Sequence, residues 1–134
     1  MSSAVVVDTD VVSFLFKNHL VAAGYLPDLV GRTPMISFIT LAELDRWVLE
    51  ARWGEKRVGH LRDFVQRFAV MPYTRALCGK WAEVTFSARA HGHPIQCADA
   101  WVAATAVLAG APLITHNRSD YAGVPALTVI SHAP

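Results

Sequence analysis

The chain has 134 residues, 53% of them hydrophobic and 17% charged, with a formal net charge of +1. That is enough apolar material for one core burying roughly 65 to 70% of the unfolded surface, which excludes a disordered chain and a disulfide-stapled scaffold. Near-neutral charge excludes a wholly basic nucleic-acid coat protein but leaves room for a local basic face.

Met1 to Val7 has no basic start, and Asp8 and Asp10 interrupt its apolar run before a signal-peptide core is complete, so a cytoplasmic protein is expected. Short β-rich apolar runs then alternate with longer stretches of helical period, without a repeat or a Gly/Ser linker. Residues 1–134 therefore read as one α/β domain. The predicted strands are Ala4 to Val7, Met35 to Phe38, Ala69 to Met71, Leu113 to Thr115 and Leu127 to Ile130. Their continuous apolar character suits strands covered on both faces, hence a parallel sheet. Pro72 cannot donate to a ladder, which makes the third strand short and places it at an edge.

Between the runs, Leu41, Leu44 and Val48 share one helical face, as do Val58, Leu61, Val65 and Phe68, and then Leu77, Trp81, Val84 and Ala88. Ala98 to Ala109 is apolar almost all round and stops at Gly110, the pattern of a buried helix with a glycine C-terminal stop. The weakly charged stretch from Ala100 to Asn117 is divided by Gly110-Ala111-Pro112, and neither piece approaches the ~20 apolar residues of a membrane span. Cys78 and Cys97 form no CxxC pair and no zinc spacing, so both read as thiols suited to a reducing compartment.

Candidate chemistry begins with Asp8, at the carboxyl end of the first strand, where open α/β sheets bind ligands. Asp8 or Asp10 also suits capping of the helix that follows. Glu43 closes Thr40-Leu41-Ala42-Glu43, which matches a capping box with Thr40 as the cap. Asp99 sits in the first turn of the buried helix, a favourable place for an acid in the helix dipole. These structural readings stand beside a functional one. Asp8, Glu43, Asp99 and the Asn117 to Asp120 turn each follow a strand's carboxyl end or open a helix on that side. Carboxylates ~4 Å apart repel by about 4 kcal/mol per pair at an effective dielectric of 20, so gathering several calls for a cation. Oxygen ligands point to Mg²⁺ or Mn²⁺.

Val5-Val6-Val7-Asp8, Thr40-Leu41-Ala42-Glu43-Leu44, Asp99 to Ala106 and Leu113-Ile114-Thr115-His116-Asn117-Arg118-Ser119-Asp120-Tyr121 together resemble the motifs of PIN-domain ribonucleases. More narrowly, over its whole length the chain resembles the VapC-type toxins of toxin-antitoxin pairs. The resemblance implies a PIN-like three-layer α/β/α fold with a parallel sheet of order 3-2-1-4-5. It places Asp8, Glu43 and Asp99 at the family's metal-binding acids, with Asp120, ranked ahead of Asn117, at a fourth and more variable position. It also sets Thr115 beside Asp8, where its hydroxyl could reach metal or substrate. The implied activity is Mg²⁺- or Mn²⁺-assisted hydrolysis of RNA. The implied partner is a small VapB-like antitoxin covering the groove, with Trp47, Trp53 and Phe14 as contacts if they are not core.

Phosphate binding needs cations, and the interval holding Arg46, Arg52, Lys56, Arg57, Arg62 and Arg67 has more bases than acids, which also describes an ordinary solvated helix face. Arg46, one turn after Glu43, and Arg118, in the fourth motif, are the substrate-binding candidates. His91-Gly92-His93 lacks a third nitrogen or sulfur ligand nearby and reads as a solvated loop; His116 reads as a polar turn residue near the site. Two rival functions remain. Asp8-Thr9-Asp10-Val11-Val12 also resembles the opening motif of haloacid-dehalogenase-like phosphatases, although the late acidic pair of that family is missing. A non-catalytic PIN-like module binding RNA or protein is the other. Four tryptophans and six phenylalanines in so small a domain leave an apolar patch for a homodimer or a toxin-antitoxin hetero-oligomer.

Overall fold

The alternation of side chains along a strand lets one apolar run feed two cores, and β1 (Ala4–Val7) does so. In the computed structural model, which describes residues 3–134, Val6 faces one hydrophobic cluster while Val5 and Val7 face another. The sheet is completed by β2 (Thr33–Ser37), β3 (Ala69–Met71), β4 (Leu113–Ile114) and β5 (Val129–Ile130), all parallel, in the order β3-β2-β1-β4-β5. The expected strand order is thus observed, with β3 at an edge.

Among the described residues seven helices surround the sheet: α1 (Thr9–Phe16), α2 (Leu20–Ala23), α3 (Leu26–Leu29), α4 (Phe38–Ala51), α5 (Glu55–Val65), α6 (Arg75–Ala90) and α7 (Cys97–Ala109). Val6 and Leu113 pack with Leu77 and Val84 of α6 and with Val102 and Ala103 of α7. Val5, Val7 and Ile114 pack with Val11 and Val12 of α1, Leu44 of α4, Leu61 of α5 and the fully buried Tyr25. Three layers result. Trp47 and Trp53 are half-buried against this second cluster, so both are core residues with an exposed edge. Among the described residues no helix is long and apolar enough to cross a membrane.

α7 ends as its sequence predicts: Gly110 adopts φ 64°, and the Ala111 amide returns to the Ala106 carbonyl at 3.0 Å. Phe38 does not extend β2 but opens α4. The helix is capped by Ser37, whose Oγ accepts from the Ile39 amide at 3.3 Å, and not by Thr40. The capping-box reading is therefore overturned. β2 turns directly into α4 at Ser37, which leaves Thr40 buried within the first helical turn and Glu43 in the second. β4 and β5 are shorter than predicted. Thr115 still donates its amide to Ile130 O at 3.1 Å, and Leu127 belongs to a turn closed on Val124 O at 3.1 Å.

Candidate active site

The strands are added outward from β1 in one direction up to β3 and in the other from β4 on, so strand order reverses between β1 and β4, the point at which parallel sheets open a crevice at their carboxyl ends. Asp8 stands there. It leaves β1 with φ −70° and ψ 155°, caps α1 through Oδ1, which accepts from the Thr9 amide at 2.8 Å, and is 8% exposed. Its Oδ2 accepts from the hydroxyls of Thr115 at 2.8 Å and Tyr121 at 2.7 Å. Thr115 is fully buried, and its Oγ1 also accepts from the Asn117 amide at 3.1 Å. Three donors thus occupy about three of the four acceptor positions of a carboxylate. Burial nevertheless dominates, raising the Asp8 pKa above the usual carboxylate value, with a smaller push from Asp120, against these hydrogen bonds. Burial and the Asp8 charge likewise hold the Tyr121 phenol protonated far above its ordinary range.

Glu43 approaches from α4. Thr9 Oγ1 lies 2.7 Å from Glu43 Oε1 and 2.9 Å from Thr40 Oγ1. An ionised carboxylate only accepts, so the Thr9 proton serves Glu43 and the Thr40 proton serves Thr9. Thr40, read from sequence as a cap, thus backs the bond that orients Glu43.

Asp99 lies in the first turn of α7, half-buried, and its pKa is raised to about 6 by burial and then by the charges of Asp8, Asp120 and Glu43. Asp120, on a 3-10 turn over Arg118–Tyr121, is exposed, yet its charge is felt at Asp8, Asp10 and Asp99. The structure therefore brings the four sequence-predicted acids into one electrostatic field at one end of the sheet. Among the described residues, no three His, Cys, Asp or Glu side chains stand close enough together to enclose an ion as they are. The donors are oxygen throughout and their charges repel, which fits a hard divalent cation and excludes a thiolate or imidazole site.

Asp10 has a role that the sequence left open. Its Oδ1 accepts from the Val11 amide at 2.7 Å, and its Oδ2 from the His116 amide at 3.1 Å and Asn117 Nδ2 at 3.3 Å. It clamps the turn after β4 to the start of α1. Burial, and next the Asp8 charge, raise its pKa to about 6. Thr9 and Tyr121 were also missed as site residues. Tyr121 closes the fourth motif, but nothing in its spacing announces a bond to a residue 113 positions earlier.

Arg46 lines a cleft of about 300 Å³ with Thr9, Asp10, Lys17 and Glu43, and pairs with Glu50 at 3.1 Å on the surface. Arg118 lies on the other side of the fourth motif. Its Nη2 donates to Val129 O at 3.4 Å, and it lines a cavity of about 710 Å³ with His116 and Asn117. His116 Nδ1 is 2.6 Å from the Tyr25 hydroxyl, and its ring meets the edge of Phe14. His91 bonds the Ser87 carbonyl of its own helix at 2.7 Å, and His93 is exposed.

Residues 5–125 match the family model described as PIN domain. The chain is 34% identical over 98 residues to Ribonuclease VapC4 of Mycobacterium tuberculosis, covering 72% of this chain and 75% of that one. It is 29% identical over 119 residues to Ribonuclease VapC1 of Haemophilus influenzae, covering 85% and 87%. Among solved structures it resembles VapBC2 from Rickettsia felis bound to a promoter DNA fragment, with a TM-score of 0.84, 22% identity and coverage of 96% and 98%. It also resembles FitAcB from Neisseria gonorrhoeae, with a TM-score of 0.78, 26% identity and coverage of 94% and 96%. A match that runs from β1 past the 3-10 turn, together with this kinship, establishes that the chain belongs to the PIN-domain family, among its VapC ribonucleases.

Proposed function

We propose that this chain is a divalent-metal-dependent endoribonuclease, a VapC-type toxin restrained by a cognate antitoxin. The observation that carries the reading is the gathering of Asp8, Glu43, Asp99 and Asp120 at one end of the sheet, where burial, and next the charges of Asp8, Asp120 and Glu43, raise Asp99 to about 6. A divalent ion such as Mg²⁺ or Mn²⁺, when bound there, would supply an acidified water and offset charge on the scissile phosphate. Asp8, Glu43, Asp99 and Asp120 would hold it, with the Asn117 amide as a neutral oxygen donor. Thr115 and Tyr121 favour the charged form of Asp8 and fix its rotamer, Thr9 fixes the rotamer of Glu43, and Asp10 holds the turn that carries Asn117. Arg46 and Arg118 flank the acids and supply phosphate contacts.

The kinship with VapC ribonucleases and the likeness to VapBC complexes support both the RNA substrate and the antitoxin. The nearly full exposure of Leu20 and Val30 supports a further apolar contact, as in a homodimer or a toxin-antitoxin assembly. The free thiols of Cys78 and Cys97 suit a cytoplasmic protein. The phosphatase reading loses its acid/base, because both oxygens of Asp10 are engaged by backbone and amide donors.

Incubation of a mixed RNA pool with Mg²⁺, with Mn²⁺ or with chelator tests the proposal. Cleavage is expected with either ion and is lost with chelator and in folded Asp8→Asn protein. Cleavage that survives both removes the metal site assigned to these acids.

A further inference from the structure

The cleft beside the acids does not end at Lys17. A depression of about 410 Å³ shares Lys17 with it and is lined further by Phe16, Lys56, Arg57 and His60. A third, of about 430 Å³, shares Phe16 and His60 and runs to Arg67. The shared residues set the three depressions side by side, and together they make a trough that runs from Glu43 across the C-terminal end of α1 and along α5.

The charge along the trough is one-sided. Beyond the acid cleft it carries Lys17, Lys56, Arg57 and Arg67 against the single acid Asp63. The ion pairs among the described residues are Arg46–Glu50, Lys80–Glu83 and His132–Asp28, so none of these four cations is neutralised. Three are held by aromatic faces instead: Lys17 lies 4.8 Å from the Trp47 ring centre, Arg57 4.0 Å from Trp53 and Arg67 5.4 Å from Phe64. Stacking on a ring orders a long cationic side chain without cancelling its charge. A merely solvated helix face has no need of such ordering, and ordinarily intersperses acids among its bases.

We infer that this trough carries the phosphate backbone of single-stranded RNA away from the carboxylates; the inference rests on the ribonuclease reading of the acid cleft. From Lys56 to Arg67 the chain advances about 16 Å at helical rise. At the ~3.4 Å per nucleotide of one stacked, helical strand, that accommodates about five nucleotides, and fewer of an extended strand. The cations follow one another from depression to depression, Lys17, then Lys56 and Arg57, then Arg67, which fits one backbone; a duplex presents two phosphate rows across a groove.

The test compares wild type with a Lys56→Gln/Arg57→Gln/Arg67→Gln triple variant. Its control, Arg32→Gln/Arg75→Gln/Arg89→Gln, removes three exposed cations outside the trough. Binding of a labelled mixed-sequence single-stranded RNA is followed in chelator at several salt concentrations. Each lost phosphate contact should lower the slope of log K against log salt by about 0.7, or about 2 for the trough triple. Between about 50 and about 200 mM salt, wild-type affinity should then fall roughly 20-fold further than that of the variant. With metal, KM for long RNA should rise while kcat is kept, and Arg57→Lys/Arg67→Lys should retain the wild-type slope.

An unchanged slope, or an equal loss in the control, overturns the inference even if RNA is still cleaved. So does a trough triple that binds RNA normally but loses an acidic peptide, since the trough would then belong to a protein partner. If wild type cleaves no RNA and the trough triple still loses salt-dependent RNA binding, the trough stands and the nuclease reading falls.

Discussion

Replacing Asp99 by Asn separates two physical roles that predict opposite signs. As an acid in the first turn of α7, Asp99 gains from the helix dipole, typically 0.3 to 1 kcal/mol, and neutralising it should lower stability. As a member of a crowded acid group it is held, when charged, against burial and against Asp8, Asp120 and Glu43, and its pKa rises from 3.8 to about 6. That displacement corresponds to about 3 kcal/mol at 1.36 kcal/mol per pH unit. Solvent screening of a half-exposed group reduces it to about 1 to 1.5 kcal/mol. Because the folded pKa lies above the unfolded one, the native state binds the proton more tightly. Stability from this group is therefore complete below about pH 4 and is lost as pH rises through about 6. In chelator, Asp99→Asn should match wild type near pH 4 and melt about 4 to 6 °C higher at pH 7.5, taking about 4 °C per kcal/mol for a chain of this size. Saturating Mn²⁺ should reverse the order, since a cation bound only by the folded state stabilises wild type more. Thermal melts across this pH range, with and without metal, decide the matter. A variant that melts below wild type at pH 7.5 in chelator, with a deficit that grows with pH, would refute the crowding account and leave Asp99 as a dipole residue.

Glu43→Gln keeps an oxygen to accept from Thr9 and should leave the melting temperature nearly unchanged, while RNA cleavage assayed with Mg²⁺ falls by at least about 100-fold, or about 2.7 kcal/mol of barrier. Tyr121→Phe removes a donor to a buried carboxylate and should cost about 1.5 to 3 kcal/mol in denaturant melts. Because that hydrogen bond favours the charged form, its loss should also move the acid limb of the activity profile to higher pH. Gly123→Ala should destabilise by more than about 2 kcal/mol in the same melts, because the new Cβ would meet the His93 carbonyl and come within 2.9 Å of Ala88 Cβ.

What was legible in the sequence depended on how local its cause is. Val5, Val6 and Val7 announce a strand covered on both faces, and Gly110 announces the end of α7, because each signal lies within a few residues of its effect. The start of α4 was misread for a physical reason. Ser37 and Thr40 are equally good caps by residue type, and Thr40-x-x-Glu43 has the right letters, but the choice is made by where β2 stops pairing with β3 at Met71. The acids were legible as a set, whereas their supports were not. Tyr121 to Asp8, Thr9 to Glu43 and Tyr25 to His116 join residues 113, 34 and 91 positions apart, and no spacing rule reaches that far.

Those supports also bear on the choice of a fourth acid. The Asn117 side-chain amide donates to Asp10, and its backbone amide donates to Thr115, which in turn donates to Asp8. Asn117 is thereby committed to holding the turn, with only its side-chain oxygen left to offer. Asp120 makes no comparable commitment. It projects from the 3-10 turn into solvent, yet its charge reaches Asp8, Asp10 and Asp99. A group that repels three buried or half-buried carboxylates contributes little to the metal-free fold and gains most when a cation arrives. We therefore propose Asp120, ahead of Asn117, for the fourth acidic position. The polar turn from Thr115 to Asn117 is its frame, tied to α1 through Asp10 and to the sheet through Thr115.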